Sequence, residues 1–280
     1  MGFSIIELLK YLFLGLVQGV TEVLPISSSG HVELFKSLAN VNVDNNVMFL
    51  LLLNTGSLFA FIIIYFKKLV DLIKSFFIYI FKKEQRPENK QNFQYVLKIG
   101  LASVPAGIVG LLLEPVIENL TDLYGLLLAG IGLLVTATVL FYVSSEHFHN
   151  QKTKIGWLDS LYIGIGQAIA IFPGVSRSGM TTSTALKRKH GIDSALNFSF
   201  LMYIPISFAG IILLLFDLKD ATSTTASVEY LYYSIALVAA MIATYIAYKL
   251  IFNIFRSGKL RYFSYYCFGI GLLAIFLFVL

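Results

Sequence analysis

Charge is what this chain lacks most. Only 13% of its 280 residues are Asp, Glu, Lys or Arg, against 57% hydrophobic, and the mean hydropathy is +0.78. A water-soluble domain of this length is not built from such a composition, so the expectation is one all-α, polytopic membrane unit. Cysteine is nearly absent too: Cys267 stands alone in an apolar segment, which excludes a disulfide framework and a multi-cysteine metal site. The N-terminus lacks a basic leader and a small-residue cleavage site. Its first apolar run carries Glu7, Lys10, Gln18 and Glu22, so no cleaved signal peptide is expected. The formal charge of +5 does not argue for nucleic acid, because the basic residues cluster in short loops between apolar spans.

Long apolar runs take the place of charge. Six can cross ~30 Å of hydrocarbon at ~1.5 Å per residue: 47–66, 94–113, 123–143, 197–216, 229–250 and 262–280. The stretches 5–40 and 157–190 differ, since each breaks at a proline, Pro25 or Pro173, and then turns polar. After Pro173 too few residues remain before Lys187, Arg188 and Lys189 to cross, so both stretches are expected to be re-entrant hairpins.

Loop charge sets the orientation. Lys67, Lys68, Lys74, Lys82, Lys83, Arg86 and Lys90 lie in one loop, Lys152 and Lys154 in another, Lys187 to Lys189 in a third, and Arg256, Lys259 and Arg261 in a fourth. These loops are expected on the cytoplasmic side, and the stretches bearing Glu114, Glu118 and Asp122, then Asp217, Asp220 and Glu229, on the outer side. One hairpin plus three crossings in each half makes the halves, 1–149 and 150–280, an inverted repeat whose hairpin tips meet near the midplane. Within the long basic loop, Leu69, Leu72, Ile73, Phe76, Phe77, Ile80 and Phe81 follow helical spacing and read as an interfacial amphipathic helix.

The hairpins carry the polar residues. GLVQGVTEVLPISSSGH matches the segment around PGVSRSGMT at a constant offset: Gly15 with Gly164, Gln18 with Gln167, Ser27 with Ser176, Ser29 with Ser178 and Gly30 with Gly179, each pair 149 residues apart. Arg177 is costly at membrane depth, and its planar fork suits phosphate oxygens. Ser27, Ser28, Ser29, Ser176, Ser178, Thr181 and Thr182 surround two helix starts, where free N–H groups and the helix dipole favour an anion. Serines in membrane helices also bond back to their own carbonyls, and Arg177 could simply pair with Glu22. Gln18 and Glu22 share a helix face and can help hold a hard cation or orient water, or Glu22 can be a neutral hydrogen-bonder. His31 is a candidate base, acid or nucleophile, or a structural hydrogen-bonder. Asn54, Gly56 and Ser57 are candidate lining groups on the next span.

These residues together resemble one family, the bacterial membrane undecaprenyl-diphosphatases linked to bacitracin resistance. The resemblance rests on QGVTEVLPISSSGH (Gln18 to His31) and PGVSRSGMT (Pro173 to Thr181). It implies hydrolysis of a C55 polyprenyl diphosphate lipid to the monophosphate and inorganic phosphate, recycling the carrier for peptidoglycan synthesis. It also implies a multi-pass protein of the bacterial inner membrane with a site open to the outer, periplasmic face, and dependence on a divalent cation, Mg2+ or Ca2+. Carried over by position, the acidic pair falls on Gln18 and Glu22, the serine–histidine segment on Ser27, Ser28 and His31, and the arginine motif on Ser176, Arg177, Ser178 and Thr181. Gln18 is the less acidic of the two residues the pattern admits, which leaves Glu22 as the main ligand. Asn54 stands where Gln is usual. The resulting expectation is that Arg177, Ser176, Thr181 and the helix starts hold the diphosphate and that Ser28, assisted by His31, attacks it, with direct attack by His31, or by water that it activates, as the alternatives. A carrier or flippase would use the same anion pocket, a non-catalytic lipid-binding scaffold would leave the motif set without purpose, and the assembly state, including a homodimer, stays open.

Overall fold

The computed structural model describes residues 4–41, 43, 46–144, 151–220, 227–257 and 259–280. Among them the chain is helical throughout, with one isolated bridge between Lys152 and His190 in place of any sheet. The helices are α1 (Ile5–Val23), α2 (Ser28–Leu38), α3 (Asn46–Ile64), α4 (Phe66–Phe81), α5 (Arg86–Ser144), α6 (Trp157–Ile169), α7 (Arg177–Lys187), α8 (Ile192–Asp220), α9 (Ser227–Arg256) and α10 (Leu260–Val279). The protein is an all-α polytopic membrane protein. Five helical stretches are long and apolar enough to span a bilayer, and α3 with α4 makes a sixth when the bent pair is taken together.

That pair turns by 78° at Tyr65, so α4 runs across the direction of α3. Phe66, Val70, Ile73 and Phe77 on α4 are exposed, as expected of a helix lying in the interface. The expected loop around residues 114–122 is instead helical: α5 carries both runs, with a kink at Tyr124, where φ is −135° and ψ 23°. Proline and acidic residues suggested a loop, yet Pro105 and Pro115 both lie inside α5, whose break in helical angles comes only at Tyr124. The side chains of Glu114, Asp217, Asp220 and Glu229 lie outside the described residues.

α1–α2 and α6–α7 form two helical hairpins. With 11 residues each, α2 and α7 rise only ~16 Å and cannot cross alone. Each hairpin packs its first helix against the opposite half of the chain: α1 lies along α9, and α6 along α5. The crossings are close because glycine sits at both. A Cβ on Gly15 would stand 2.2 Å from the carbonyl oxygen of Ala236, and one on Gly164 would stand 2.4 Å from that of Ala102. Such stripes of small residues are how helices approach in lipid, where dispersion replaces the hydrophobic effect.

At the lysine-rich end, Asp159 gathers the second hairpin. Its carboxylate lies 2.7 Å from Arg188 Nε, 3.0 Å from His190 Nε2, 3.9 Å from Lys152 Nζ and 3.3 Å from the donating Gly156 N–H. Burial alone would raise this carboxyl, but the donors from Arg188, His190 and Gly156 outweigh it and hold it below its ordinary value.

Gly164→Ala should lower the thermal midpoint in detergent, the overpacking costing about 1–3 kcal/mol. Gly100→Ala, with nothing within 4 Å of the added carbon, should be neutral or slightly stabilising in the same melt. A carboxyl depressed in the folded state contributes stability that is present at neutral pH and lost as pH falls through about 4. Asp159→Asn should therefore lower the midpoint at pH 7 and flatten its decline below pH 5, checked by melts across that range.

Candidate active site

A cavity of about 330 Å³ opens between the two hairpins. One end is polar, lined by Glu22, Ser27, Ser28, Ser29, Asn54, Ser176 and Arg177. The remaining wall is largely apolar and includes Leu50, Leu51, Ala106, Gly110, Ile117, Ile171 and Ile206. A site for a polar head group on a long hydrocarbon tail has this division.

The polar end is organised by one carboxylate. Glu22 sits in the last turn of α1, 6% exposed. Ser28 and Arg177 are the first residues of α2 and α7 and are 149 apart, so the two hairpins present them in equivalent places. Both reach Glu22: Arg177 Nη2 donates to Oε1, and Ser28 Oγ donates to Oε2 at 2.5 Å. Gln18 Nε2 donates to the same Oε2 at 3.0 Å and to Asn54 Oδ1 at 2.8 Å. Behind the guanidinium stands Tyr203, its ring centroid 3.7 Å from Arg177 Cζ, and the Tyr203 hydroxyl donates to the Asn54 carbonyl at 2.8 Å. A ring face under a partly desolvated guanidinium stabilises the cation by ~1–2 kcal/mol and fixes the plane of its fork.

The hairpin tips lock together reciprocally. Ser27 Oγ accepts from Gly30 N–H at 3.2 Å and Ser176 Oγ from Gly179 N–H at 3.1 Å, the same cap repeated at the 149-residue offset. Ser178 Oγ donates to the Leu24 carbonyl, while Gly174 N–H donates to Ser29 Oγ. Gly174 has φ +81°, the left-handed region open to glycine, whereas Ser27 holds φ +67° with a side chain attached. His31 supports that conformation. Its Nδ1 lies 2.7 Å from the Ser27 carbonyl, which can only accept, so Nδ1 carries the hydrogen, and Nε2 faces the Tyr266 hydroxyl at 2.9 Å.

The family model described as Bacitracin resistance protein BacA matches residues 11–273. The chain is 38% identical to Undecaprenyl-diphosphatase 2 of Bacillus thuringiensis (strain Al Hakam), covering 96% of this chain and 97% of that protein. Against the Undecaprenyl-diphosphatase of Oceanobacillus iheyensis the identity is 37%, with 96% of each chain covered. Against that of Acholeplasma laidlawii it is 36%, with 99% of each covered. The chain belongs to this family.

Most of the residues singled out from sequence meet at this cavity, but three stand differently from the expectation. His31 is not hydrogen-bonded to Ser28; its ring nitrogens face the Ser27 carbonyl and the Tyr266 hydroxyl, and it does not line the cavity. Ser28 turns to Glu22 instead. Thr181 is fully buried, its hydroxyl 2.5 Å from Ser199 Oγ and 2.9 Å from the Arg177 carbonyl, so it braces α7 rather than facing the cavity. Gln18 presents its NH2 group, not its oxygen, to Glu22 and so positions the carboxylate as a donor. Among the described residues no three His, Cys, Asp or Glu side chains converge. A single carboxylate facing donors does not cage a cation by itself. It does fit a divalent ion carried mainly by phosphate oxygens, with Glu22 as the protein contact.

Tyr203, Tyr266 and Thr136 are additions that sequence reading missed. Thr136 Oγ1 accepts from Ser176 N–H at 2.8 Å and so fixes the start of α7. Tyr203 had a signal, since it lies 149 residues after Asn54. Gln167, the counterpart of Gln18, lines the cavity 2% exposed, with both amide atoms buried and no protein partner. An unpartnered buried amide costs about 1–3 kcal/mol, so this one marks where a ligand or water oxygen belongs.

Glu22→Gln should leave the Arg177 guanidinium without its counter-charge and lower stability by about 1–3 kcal/mol in a detergent melt. Added inorganic diphosphate should recover more of the midpoint in this variant than in the unaltered protein, because the anion then replaces the missing carboxylate.

Proposed function

We propose that the chain is an undecaprenyl-diphosphatase: it hydrolyses undecaprenyl diphosphate to undecaprenyl phosphate and inorganic phosphate, returning the lipid carrier to envelope synthesis and conferring bacitracin resistance. One observation carries the catalytic reading. The Glu22 carboxylate lies between the guanidinium of Arg177 and the hydroxyl of Ser28, at the polar end of an apolar-walled cavity.

The incoming diphosphate competes with Glu22 for Arg177. Its oxygens take the planar fork bidentately, a pairing that a carboxylate reached by one nitrogen does not match. Glu22 is thereby released from its cation and becomes a stronger acceptor for the Ser28 proton, to which it is already hydrogen-bonded. Ser28 Oγ then attacks the terminal phosphorus, the bond to the bridging oxygen breaks, and the lipid monophosphate departs. Water hydrolyses the phosphoserine, inorganic phosphate leaves, and Glu22 returns the proton to Ser28. Arg177 and the α2 and α7 starts hold the charge spread over the transferring group. Glu22 would be the residue to hold a divalent cation, which would supply further neutralisation of that charge. His31 is a positioning residue that keeps Ser27, and hence Ser28, in place. Gly30 and Gly179, at the equivalent caps, let the tips approach.

The same reading sets the architecture in the membrane. The two halves, 1–149 and 150–280, form an inverted repeat of the inner membrane, with hairpin tips near the midplane and the cavity open to the periplasmic face; loop charge and the repeated caps support it. A carrier would have no use for the Ser28–Glu22 contact.

Purified protein in detergent should release phosphate from a long-chain polyprenyl diphosphate, and chelator should suppress the release. Absence of release, with reconstituted vesicles moving the lipid instead, would sink the reading. Arg177→Ala and Glu22→Ala should each lower turnover by about 10³-fold or more. Ser28→Ala should abolish a trappable phosphoserine. His31→Gln, which keeps a donor for the Ser27 carbonyl, should retain far more turnover than His31→Ala; equal losses would restore His31 to the chemistry.

A further inference from the structure

A second cavity, of about 360 Å³, lies apart from the first, between the start of α5 and the segment entering α6. Lys90, Lys98 and Lys154 line it together with Gln94, Tyr95 and Thr153, and among the described residues no carboxylate does. Lys90, Gln94 and Lys98 are spaced four apart and so share one face of α5. Lys98 lies eight residues, ~12 Å of helix rise, before Ala106, the first α5 residue of the main cavity. Neither lining includes a residue of the other.

The pocket concentrates cations without neutralising them locally. Lys98 and Lys154 act on one another as like charges, and the carboxylate that Lys98 senses, Asp159, is already engaged by Arg188, His190 and Lys152. Lys98 Nζ is tethered by donation to the Ile155 carbonyl at 2.8 Å and stands 5.5 Å from the ring centroid of Trp157. Lys68 of α4 lies 5.4 Å from the Tyr95 ring centroid, adding a cation at the rim. The surroundings are those of a bilayer boundary. α4 runs across the bundle with its apolar face exposed, Trp157 is exposed, and Leu97, Leu158 and Leu161 on the neighbouring faces of α5 and α6 are exposed beside it.

From this we infer a binding site for an anionic phospholipid: the phosphodiester sits among Lys90, Lys98 and Lys154, Gln94 and Thr153 bond its polar oxygens, and the acyl chains lie along the exposed leucines of α5 and α6. Basic pockets at helix ends on the lysine-rich side of a membrane protein are suited to such head groups. A soluble phosphate would satisfy the lysines but would leave the adjoining apolar surface without a role. The inference does not depend on the catalytic reading, since it uses a different cavity and no residue of the first.

Trp157 is the only tryptophan in the chain, so it reports on this pocket directly. The whole protein is placed in phosphatidylcholine nanodiscs containing an equal small fraction of either brominated phosphatidylglycerol or brominated phosphatidylcholine. The glycerol lipid should quench Trp157 at least about twofold more strongly, and excess inorganic phosphate should leave that preference intact. The double variant Lys90→Gln/Lys154→Gln, which touches two exposed side chains and spares Lys98 beside the indole, should equalise the two lipids, while Lys90→Arg/Lys154→Arg should keep the preference. Equal quenching in the unaltered protein, a preference that survives the glutamine variant, or its loss on adding phosphate would each overturn the assignment.

Discussion

Everything at the candidate site depends on a single buried carboxylate having two kinds of partner. Glu22 faces Arg177 with one oxygen, and Ser28 and Gln18 with the other. Removing two charges from water is expensive, and such a pair persists only when hydrogen bonds satisfy what the Coulomb attraction leaves over. Here the satisfaction is shared out: Tyr203 backs the guanidinium, Gln18 steadies the carboxylate, and Asn54 joins the two supports. One oxygen of Glu22 is thus held by a cation and the other by neutral donors, and each partner is itself held by a neighbour.

The 149-residue offset explains both the likeness of the hairpins and their difference. Identical serine caps and identical glycine positions build two equivalent helix starts, and at the first residue of those helices the chain places Ser28 in one copy and Arg177 in the other. Glu22 has Ile171 as its counterpart, and Asn54 has Tyr203. The backbone repeat therefore supplies two equivalent helix starts, while the substitutions within it place a hydroxyl at one and a guanidinium at the other. A perfectly symmetrical pair of tips would have offered either two hydroxyls or two guanidiniums.

Much of this was legible in the residues. Hydropathy located the helices, the broken runs at Pro25 and Pro173 located the hairpins, and the cost of an arginine at membrane depth pointed to Arg177. What was not legible depends on turn geometry and on contacts between distant segments. The positive φ at Ser27 lies in the turn that sets α2, and with it Ser28, against α1 and Glu22, and no spacing rule announces a left-handed serine. Tyr266 meets His31 across 235 residues of chain. The helical stretch around 114–122 escaped because proline and acidic residues ordinarily mark loops, whereas here Pro115 lies inside a continuous helix.

The glycine crossings have a consequence for how such a chain is made. α1 is seated by α9, the next-to-last helix, and its Gly15 fits only against the backbone at Ala236. During synthesis the first hairpin therefore leaves the ribosome long before the surface that holds it, carrying a carboxylate whose arginine partner has not yet been translated. For most of elongation the membrane must accommodate Glu22 unpaired, in water at the bilayer edge or neutralised by a proton. The seat of α1 is therefore complete only once α9 has been synthesised.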